Sequence, residues 1–402
     1  NIVNDESHRK IYINFLKETN SLRHDFHFIS SKVEVNDNPQ SPSYPALPFL
    51  SRNIEPGEGG SPFNVPVVWY GRPLGSEFKS PHSPKDIEQF NFNYSLSFLI
   101  NQKTDAEISI TKSEHSNNHF RPDIIDSRFL AAIKGNGGPS GNQTWNIFDS
   151  NQNSQSLIDF VRGAEVSSKI ADLTSLNGIF NTEIRGLGLA YGFQLNRESL
   201  DINYDEISRA EFDKDGKLLK TADLFFLGGG INLSKSRNSN AIFFELEKNA
   251  YENLDIRLAA RYESMKNESS FDPKISFKYM VSDLFTIRFS KGTAFSSPSM
   301  AQMFSSEINL GSVRDISSSV FVRQASIGNP NLKPATSNNS NLGLIFQKNN
   351  LRLSFDIWEI DYEDRIEVES AQAILSSNPN GSSITRNEFG DLIGVTTTYF
   401  NE

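Results

Sequence analysis

Two histidines have a spacing that could hold a metal ion. His115 and His119 are four residues apart, and on a helix this spacing places both imidazoles on one face. The Ser-Asn-Asn sequence between them favours a loop instead. His24 and His27, three residues apart in a predicted strand, point to opposite faces. We therefore interpret the four histidines as solvated and predict no metal site.

Two glycine-rich segments could approach a phosphate closely. Residues 135–144 lack the Lys-Ser/Thr pair of a P-loop, and no helical pattern begins there, so we predict a turn-rich loop. Gly228, Gly229 and Gly230 are expected to form a bend or the entry to a strand. Serines and aspartates are too numerous to nominate a catalytic triad. We name no catalytic residue and no cofactor, and we predict that the protein is not an enzyme.

Seven charged residues alternate with apolar residues between positions 254 and 290. They are Asp255, Arg257, Arg261, Glu263, Lys274, Lys278 and Arg288. On strands this alternation places them on one face, opposite Ile256, Phe277 and Ile287. They could line the path of a ligand, or they could neutralise each other across strands at roughly 0.2–1 kcal/mol per pair. We predict a polar, lumen-facing surface for them and leave both roles open.

The same period of two recurs along most of the chain and predicts β-strands. Apolar residues occupy alternate positions near 11–15, 92–100, 106–110, 170–196, 241–262, 275–289 and 342–357. At Trp358 the phase slips by one residue, which predicts a β-bulge. A soluble sandwich would bury the apolar face, whereas an outer-membrane barrel would expose it to lipid.

The connections distinguish these two folds. Tight turns near 19–21, 102–104, 181–183, 251–253, 281–283 and 348–350 alternate with long polar connections, including 32–87 and 116–167. Loops of that length are uncommon inside compact soluble domains, but they are typical of the outer side of a membrane barrel. We predict an all-β, transmembrane, antiparallel up-and-down β-barrel, with short periplasmic turns and long extracellular loops.

The composition excludes other classes of protein. The 402 residues have a formal charge of −10 and contain no cysteine. No apolar run approaches 18 residues, which excludes transmembrane helices. The acidic balance argues against binding to nucleic acid. No linker divides the chain, so we treat residues 1–402 as one architecture.

Seven residues of the long connections are candidate ligand contacts, because loops on a rigid scaffold often carry recognition. They are Trp69, Tyr70, Arg72, Arg121, Asp123, Trp145 and Phe148. The alternative is that each of them packs within its loop.

Three segments resemble the barrel region of TonB-dependent outer-membrane receptors. Phe-Asp-Pro-Lys-Ile-Ser-Phe at 271–277, Leu-Phe-Thr-Ile-Arg-Phe-Ser-Lys-Gly-Thr-Ala-Phe at 284–295 and Gly-Asn-Pro-Asn-Leu-Lys-Pro at 328–334 occur in the order and spacing of that family. The strand at 355–366 is similar to the one that follows in the family. The sequence departs from the pattern at residues 295–297, where Arg-Ala is usual, and at Ala335, where Glu is usual.

The resemblance implies a 22-stranded barrel filled by an N-terminal plug. Such a receptor takes up a scarce ligand of the siderophore, cobalamin or oligosaccharide class and is driven by the TonB–ExbB–ExbD complex. It implies location in the outer membrane of a Gram-negative bacterium, in contact with lipid. We expect residues 1–402 to be a partial barrel, with the plug, the TonB box and the last strands outside it.

Two other functions stay open from the sequence. A passive, porin-like barrel would lack the plug and the TonB box. A secreted glycan-binding β protein would be soluble without detergent.

Overall fold

The fold is almost entirely β-structure. The computed structural model describes residues 4–37, 48–74, 82–213, 216–265 and 268–402. The strands are β1 (Asp5–Glu18), β2 (Leu22–Asp37), β3 (Arg52–Ile54), β4 (Val67–Trp69), β5 (Lys85–Asn101), β6 (Thr104–Ile124), β7 (Arg162–Ile184), β8 (Leu187–Tyr204), β9 (Glu211–Phe212), β10 (Leu218–Lys220), β11 (Leu233–Tyr251), β12 (Leu254–Met265), β13 (Glu268–Met280), β14 (Phe285–Ser296), β15 (Ser306–Asp315), β16 (Ser318–Ile327), β17 (Ala335–Lys348), β18 (Leu351–Glu363), β19 (Ile366–Val368), β20 (Ile384–Arg386) and β21 (Leu392–Asn401).

The helices are short and lie in the connections. They are α1 (Asp126–Ile133), α2 (Gln155–Val161), α3 (Met300–Phe304) and α4 (Ala371–Ser377), with single 3₁₀ turns at Pro48–Leu50 and Ser150–Gln152. No helix in the described part of the chain is long and apolar enough to cross a membrane.

Twelve strands form one antiparallel sheet in the order β1-β2-β5-β6-β7-β8-β11-β12-β13-β14-β17-β18. The strands absent from this series belong to the long connections or follow β18. Each strand therefore pairs with the sheet strands before and after it, which confirms the predicted up-and-down topology. In the described ranges β1 and β18 are the two edges and do not pair with each other. The sheet is an open part of a barrel wall, as predicted.

The strands extend much further toward the long connections than the apolar alternation predicts. β6 has 21 residues and β7 has 23, whereas about 9–11 residues of a tilted strand cross a membrane. His115, His119, Arg121 and Asp123, which we predicted to lie in a loop, therefore lie in β6. The prediction was wrong because apolar alternation ends where the apolar environment ends, while backbone pairing continues beyond it.

The turn between β7 and β8 also differs from the prediction. We placed it at 181–183, but Ile184 pairs with Leu187, and the turn residues are Arg185 (φ 52°) and Gly186 (φ 73°). Two positive φ values are required by a type I′ hairpin turn. The polar residues at 181–183 suggested an earlier turn. Asn181 is a strand residue instead, and its side-chain amide donates to Asp105 Oδ2 at 2.9 Å.

The apolar face of the sheet is open. Ile242 is 63% exposed and Phe355 is 65% exposed. Ile256, Phe277 and Ile287 are half-buried by their neighbours within the sheet. In the described ranges the twelve strands form one layer, and no second sheet covers this face as a soluble sandwich requires. It has the character of a lipid-facing surface.

The polar face is concave. Residues from five consecutive strands of the sheet, β8 and β11 to β14, line a single cavity of about 490 Å³ on this face. Side chains on a convex surface point away from one another, whereas side chains on a concave surface converge and can line one cavity. The charged face is therefore the inner face of the barrel wall.

The predicted bulge at Trp358 is absent. β17 and β18 pair without a register shift from Thr336↔Glu363 to Lys348↔Leu351. The alternation of side chains across the two faces therefore continues through Trp358, and the polarity of each face changes there instead. A change of environment along a regular strand produced the phase slip that we interpreted as a backbone irregularity.

Three long connections pack together at one end of the sheet and form what we call the cap. They are residues 48–74, residues 125–161 and the connection between β8 and β11, which is described at 205–213 and 216–232. The apolar core of the cap contains Leu50, Ile54, Phe129, Ile133, Trp145, Leu157, Val161 and Phe225. A five-stranded sheet of β15, β16, β19, β20 and β21 lies at the same end and packs with α4 around Val322, Leu375 and Val395. The end of the sheet that carries the long connections is thus ordered by its own hydrophobic cores.

The orientation of β14 can be tested with two lysine substitutions. Ile287→Lys places a charge on the apolar face and should destabilise the protein in a bilayer by about 2–4 kcal/mol. Ser290→Lys places the same charge on the inner face and should cost much less. Urea unfolding in liposomes, followed by heat-modifiable migration on a gel, measures both. Equal losses of stability would contradict the assignment of the two faces.

Candidate functional site

The histidines do not form a metal site in this structure. His115 and His119 share one face of β6 but lie four residues, or about 13 Å, apart along the strand. His115 Nδ1 lies 2.9 Å from Gln89 Nε2. Burial, with Lys85, Arg121 and Lys169 nearby, lowers the pKa of His119 to about 4, so its imidazole is neutral at pH 7. Among the described residues no group of three or more His, Asp or Glu side chains is arranged to hold a metal.

Six of the seven predicted lumen-facing charges are ion-paired on the inner wall. The pairs are Arg257 with Glu247 (3.0 Å), Lys278 with Asp255 (3.6 Å), Arg261 with Glu263 (2.6 Å) and Arg288 with Asp356 (2.7 Å). Arg261 also donates to Gln194 Oε1 at 2.7 Å. Since these pairs are at least partly exposed to solvent, each adds little to the stability of the wall. The pairing leaves little net charge along this stretch of the wall.

Lys274 is the exception. It makes no ion pair with any described residue, and more than a third of its surface is exposed. Its stem lies across Gly292, where a Cβ atom would come within 3.0 Å of Lys274 Cβ and Cγ. Glycine at 292 therefore lets the lysine lean toward the next strand with its ammonium unpaired.

The inner-wall cavity contains a site residue that the sequence did not indicate. Arg237 donates to Glu198 Oε2 at 2.9 Å and to the Pro298 carbonyl at 2.6 Å. On the opposite side Asp272 accepts from the Thr293 hydroxyl at 3.1 Å. Arg237 was missed because β11 begins at Leu233, eight residues before the apolar alternation at 241–262 from which we predicted the strand. Residues 234–240 are all polar, so no alternation marked the strand there.

The seven loop candidates fall into different environments. Trp145 is 1% exposed and packs edge-to-face on Phe129, with ring centroids 5.9 Å apart. Trp69 packs on Phe129 at 5.8 Å, so both tryptophans belong to the cap core. Tyr70 is 43% exposed and Phe148 is 45% exposed. Arg72 donates to the Leu74 carbonyl. The structure thus brings the tryptophans together and leaves Tyr70 and Phe148 at the surface.

Asp123 lies at the end of β6 and holds an irregular segment of the cap. Its Oδ2 accepts from the Phe226 amide at 3.0 Å and the Leu227 amide at 2.7 Å, while Oδ1 accepts from Ile124 at 2.8 Å. Complete burial raises the pKa of Asp123 to about 6, although these amides and the charge of Arg323 oppose the rise. The carboxylate satisfies backbone donors that no strand pairs.

Arg323, on β16, holds the same segment from the other side. Its guanidinium donates to the carbonyl oxygens of Leu224 and Phe225, each at 3.2 Å, and of Phe226 at 3.4 Å. It also lies 4.9 Å from the centroid of the Phe49 ring. Burial lowers the pKa of Arg323 to about 10, so it stays protonated at pH 7. One buried cation therefore ties the five-stranded sheet to the cap.

A third buried charge fixes the glycine bend that follows. Glu165, 1% exposed, accepts from Arg121 through Oε1 and from the Gly229 amide through Oε2 at 3.2 Å. Gly229 has φ of +70°, and a Cβ there would lie 2.0 Å from the Ser208 carbonyl oxygen. Position 229 therefore requires the left-handed backbone that glycine permits. Arg121, like Asp123, uses its side chain to hold the cap together.

Arg323→Met tests whether the buried cation holds the cap. The substitution leaves three carbonyl groups without a donor and should destabilise the cap by about 3 kcal/mol or more. Arg314→Met, on the exposed face of the neighbouring β15, is the matched control. Limited proteolysis with mapping of the cut sites measures the result. New cleavage near 224–230 in the Arg323 variant alone is expected, and equal resistance of both variants would refute the role.

Comparison with known proteins gives the family. A family model described as "TonB dependent receptor-like, beta-barrel" matches residues 25–401. The solved siderophore receptor PirA from Acinetobacter baumannii has a TM-score of 0.57 at 16% identity, over 99% of this chain and 48% of that one. The RagAB peptide importer in its closed-closed state has a TM-score of 0.51 at 10% identity, over 98% of this chain and 42% of that one.

A sequence relative gives the same assignment. A probable TonB-dependent siderophore receptor PirA from A. baumannii strain ATCC 19606 is 26% identical over 146 residues, which are 35% of this chain and 19% of that protein. The chain spans less than half the length of each of these relatives. The family model nonetheless covers almost the whole chain, and the single-layered meander is the architecture it describes. The chain therefore belongs to the TonB-dependent receptors, and it forms part of their β-barrel.

Proposed function

We propose that this chain is the barrel wall of an outer-membrane receptor that takes up a scarce ligand with energy supplied through TonB. The observation that carries the proposal is a single-layered wall with two unlike faces. Its outer face is apolar and uncovered, while its inner face is concave, polar and ion-paired. Lipid outside and a water-filled or plugged lumen inside match these two faces. A secreted soluble protein would have to cover the apolar face.

The ordered cap supports a receptor more than a passive pore. Buried Asp123, Glu165 and Arg323 each fasten backbone of the connection between β8 and β11. A structured extracellular surface can recognise a ligand, whereas a passive pore needs only an unobstructed opening. Tyr70 and Phe148 are the exposed aromatic candidates on this surface, and we retain them, with Arg72, as proposed ligand contacts. Trp69, Trp145, Arg121 and Asp123 are proposed to shape the cap from within.

The proposed ligand is an iron–siderophore complex. PirA of A. baumannii, found both as a solved structure and as a sequence relative, is a siderophore receptor by name, and the peptide importer shares the fold at lower identity. The proposed receptor lies in the outer membrane and is plugged by a further part of the protein. It is driven by TonB–ExbB–ExbD and moves the ligand without making or breaking its bonds.

Iron uptake tests this proposal. Cells that lack their other iron-chelate receptors would express this receptor from its intact gene and receive ⁵⁵Fe bound to desferrioxamine B or to 2,3-dihydroxybenzoylserine. Uptake of at least one chelate should exceed that of a deletion strain and should disappear with a protonophore or without TonB. Uptake that persists without energy would indicate a passive barrel. If the deletion strain takes up each chelate as well as the strain that expresses the receptor does, the siderophore proposal is refuted.

A further inference from the structure

Strand β15 lies at one end of the five-stranded sheet, so one side of its backbone faces away from β16. We call that side the β15 edge. At its beginning the Ile308 amide donates to the Gly229 carbonyl at 2.9 Å, and the Ser306 carbonyl accepts from the Ile231 amide at 3.1 Å. Backbone groups that point to one side of a strand recur at every second residue of an antiparallel ladder. The next residues whose groups point to the β15 edge are Leu310, Ser312 and Arg314.

A side chain closes the far end of the β15 edge. The Arg314 amide donates to Gln372 Oε1 at 2.7 Å, and Gln372 Nε2 donates to the Arg314 carbonyl at 3.1 Å. A primary amide that bonds both backbone groups of one residue reproduces the pair of bonds that a neighbouring strand would make. Gln372 belongs to α4, which is fixed by Ala371 and Leu375 in the core that it shares with the sheet.

Between these two closures the β15 edge is open. Leu310 and Ser312 are exposed, and their edge-facing backbone groups have no hydrogen-bond partner among the described residues. Leu310 is 36% exposed, and Phe321, which pairs with Ser312 from β16, is 48% exposed. Unpaired strand backbone beside exposed apolar side chains is a template for pairing with another chain.

The β15 edge is complementary to itself. Two copies of β15 can pair antiparallel about a two-fold axis through Ser312, which places each Leu310 opposite Arg314 of the second copy. The hairpin reverses after Asp315, so neither copy reaches the segment that covers the beginning of the edge. Gln372 stands where Leu310 of the second copy would bind. The side chain therefore blocks this register.

We propose that Gln372 closes the β15 edge against pairing with a second copy of this chain. The amide gives Arg314 both bonds of a strand neighbour, but it offers no new edge, because a side chain ends where a strand would continue. Exposed backbone at Leu310 and Ser312 is then too short a stretch for stable pairing. The role concerns contacts between copies, so it depends neither on the ligand nor on the energy source.

Hydrogen exchange measures the closure. In the protein expressed from its intact gene and held in detergent solution, Gln372→Leu keeps the approximate size of the side chain and removes both hydrogen bonds. The Arg314 amide should then exchange about five- to tenfold faster, as expected for the loss of one hydrogen bond. Ala373→Leu, at the next exposed position of α4, is the matched control and should leave the Arg314 amide protected.

Cross-linking measures the pairing. Ser312→Cys, with any cysteine elsewhere in the protein replaced by serine, would face its counterpart in the second copy at a Cα distance of about 5.5 Å. A disulfide can span that distance. Oxidation with copper phenanthroline should join two chains when Gln372→Leu is present. The same oxidation should leave the chains separate when Gln372 is retained or when only Ala373→Leu is added.

A proline distinguishes strand pairing from apolar adhesion. The Leu310 N–H points to the β15 edge, so Leu310→Pro removes no bond from the ladder with β16 but obstructs an added strand. Combined with Gln372→Leu, it should abolish the cross-link at position 312. Heat-modifiable migration monitors assembly of every variant.

Four results would overturn the proposal. Unchanged exchange of the Arg314 amide in Gln372→Leu would show that the side chain does not protect the edge. Equal cross-linking in Gln372→Leu and Ala373→Leu would show that the closure does not prevent pairing. Cross-linking that survives Leu310→Pro would place the contact on another surface. Should Gln372→Leu fail to assemble, extensive cross-linking through Ser312→Cys with Gln372 retained is by itself sufficient to refute the closure.

Discussion

Backbone hydrogen bonding in the absence of water is the constraint on which this structure depends. A strand that crosses lipid must pair every N–H and C=O group with a neighbouring strand, because the bilayer offers no other partner. The meander of twelve strands meets this requirement, since each internal strand is paired on both sides. With the backbone satisfied, side chains are free to differ between the two faces. Apolar residues such as Ile256 face outward, and charged residues such as Arg257 face inward.

Beyond the membrane the same constraint is met in another way. The segment around Phe226 is irregular and partly buried, so no strand ladder satisfies it. Asp123 accepts from its amides, and Arg323 donates to its carbonyl groups. Charged side chains are therefore used here as substitutes for a neighbouring strand. Since removing one partner of a buried charged group leaves others unpaired, this arrangement makes the cap sensitive to single substitutions.

The sequence predicted the wall better than the cap, for physical reasons. The alternation of apolar residues at Ile242, Phe244 and Leu246 reflects lipid on one side of the sheet. The strands, their two faces and the order of the strands could therefore be predicted from it. Alternation is lost beyond the membrane, and β6 and β7 were therefore predicted too short. The roles of Arg121 and Asp123 could not be predicted, because their partners Glu165 and Phe226 are 44 and 103 residues distant in sequence. Such contacts leave no local pattern.

Trp358 shows how a correct observation can be misinterpreted. The phase of apolar residues does slip there, and a bulge is one physical cause. The other cause is a change of solvent along a regular strand, and the uninterrupted pairing of Asn341 with Trp358 identifies it. Sequence alone does not separate the two causes, because both shift the pattern by one residue. The distinction decides whether Trp358, Ile360 and Tyr362 meet lipid or the receptor interior.

The most direct test of the account is to measure what each face of β14 contacts. Residues 1–402 contain no cysteine, so a nitroxide attached at Ile287→Cys or Ser290→Cys, in outer-membrane vesicles and with any cysteine elsewhere in the protein replaced by serine, reports a single position. We predict that the label at 287 collides readily with dissolved oxygen and is shielded from a water-soluble nickel chelate, with the opposite preference at 290. Strong collision of the label at 287 with the nickel chelate, and shielding of the label at 290, would contradict it.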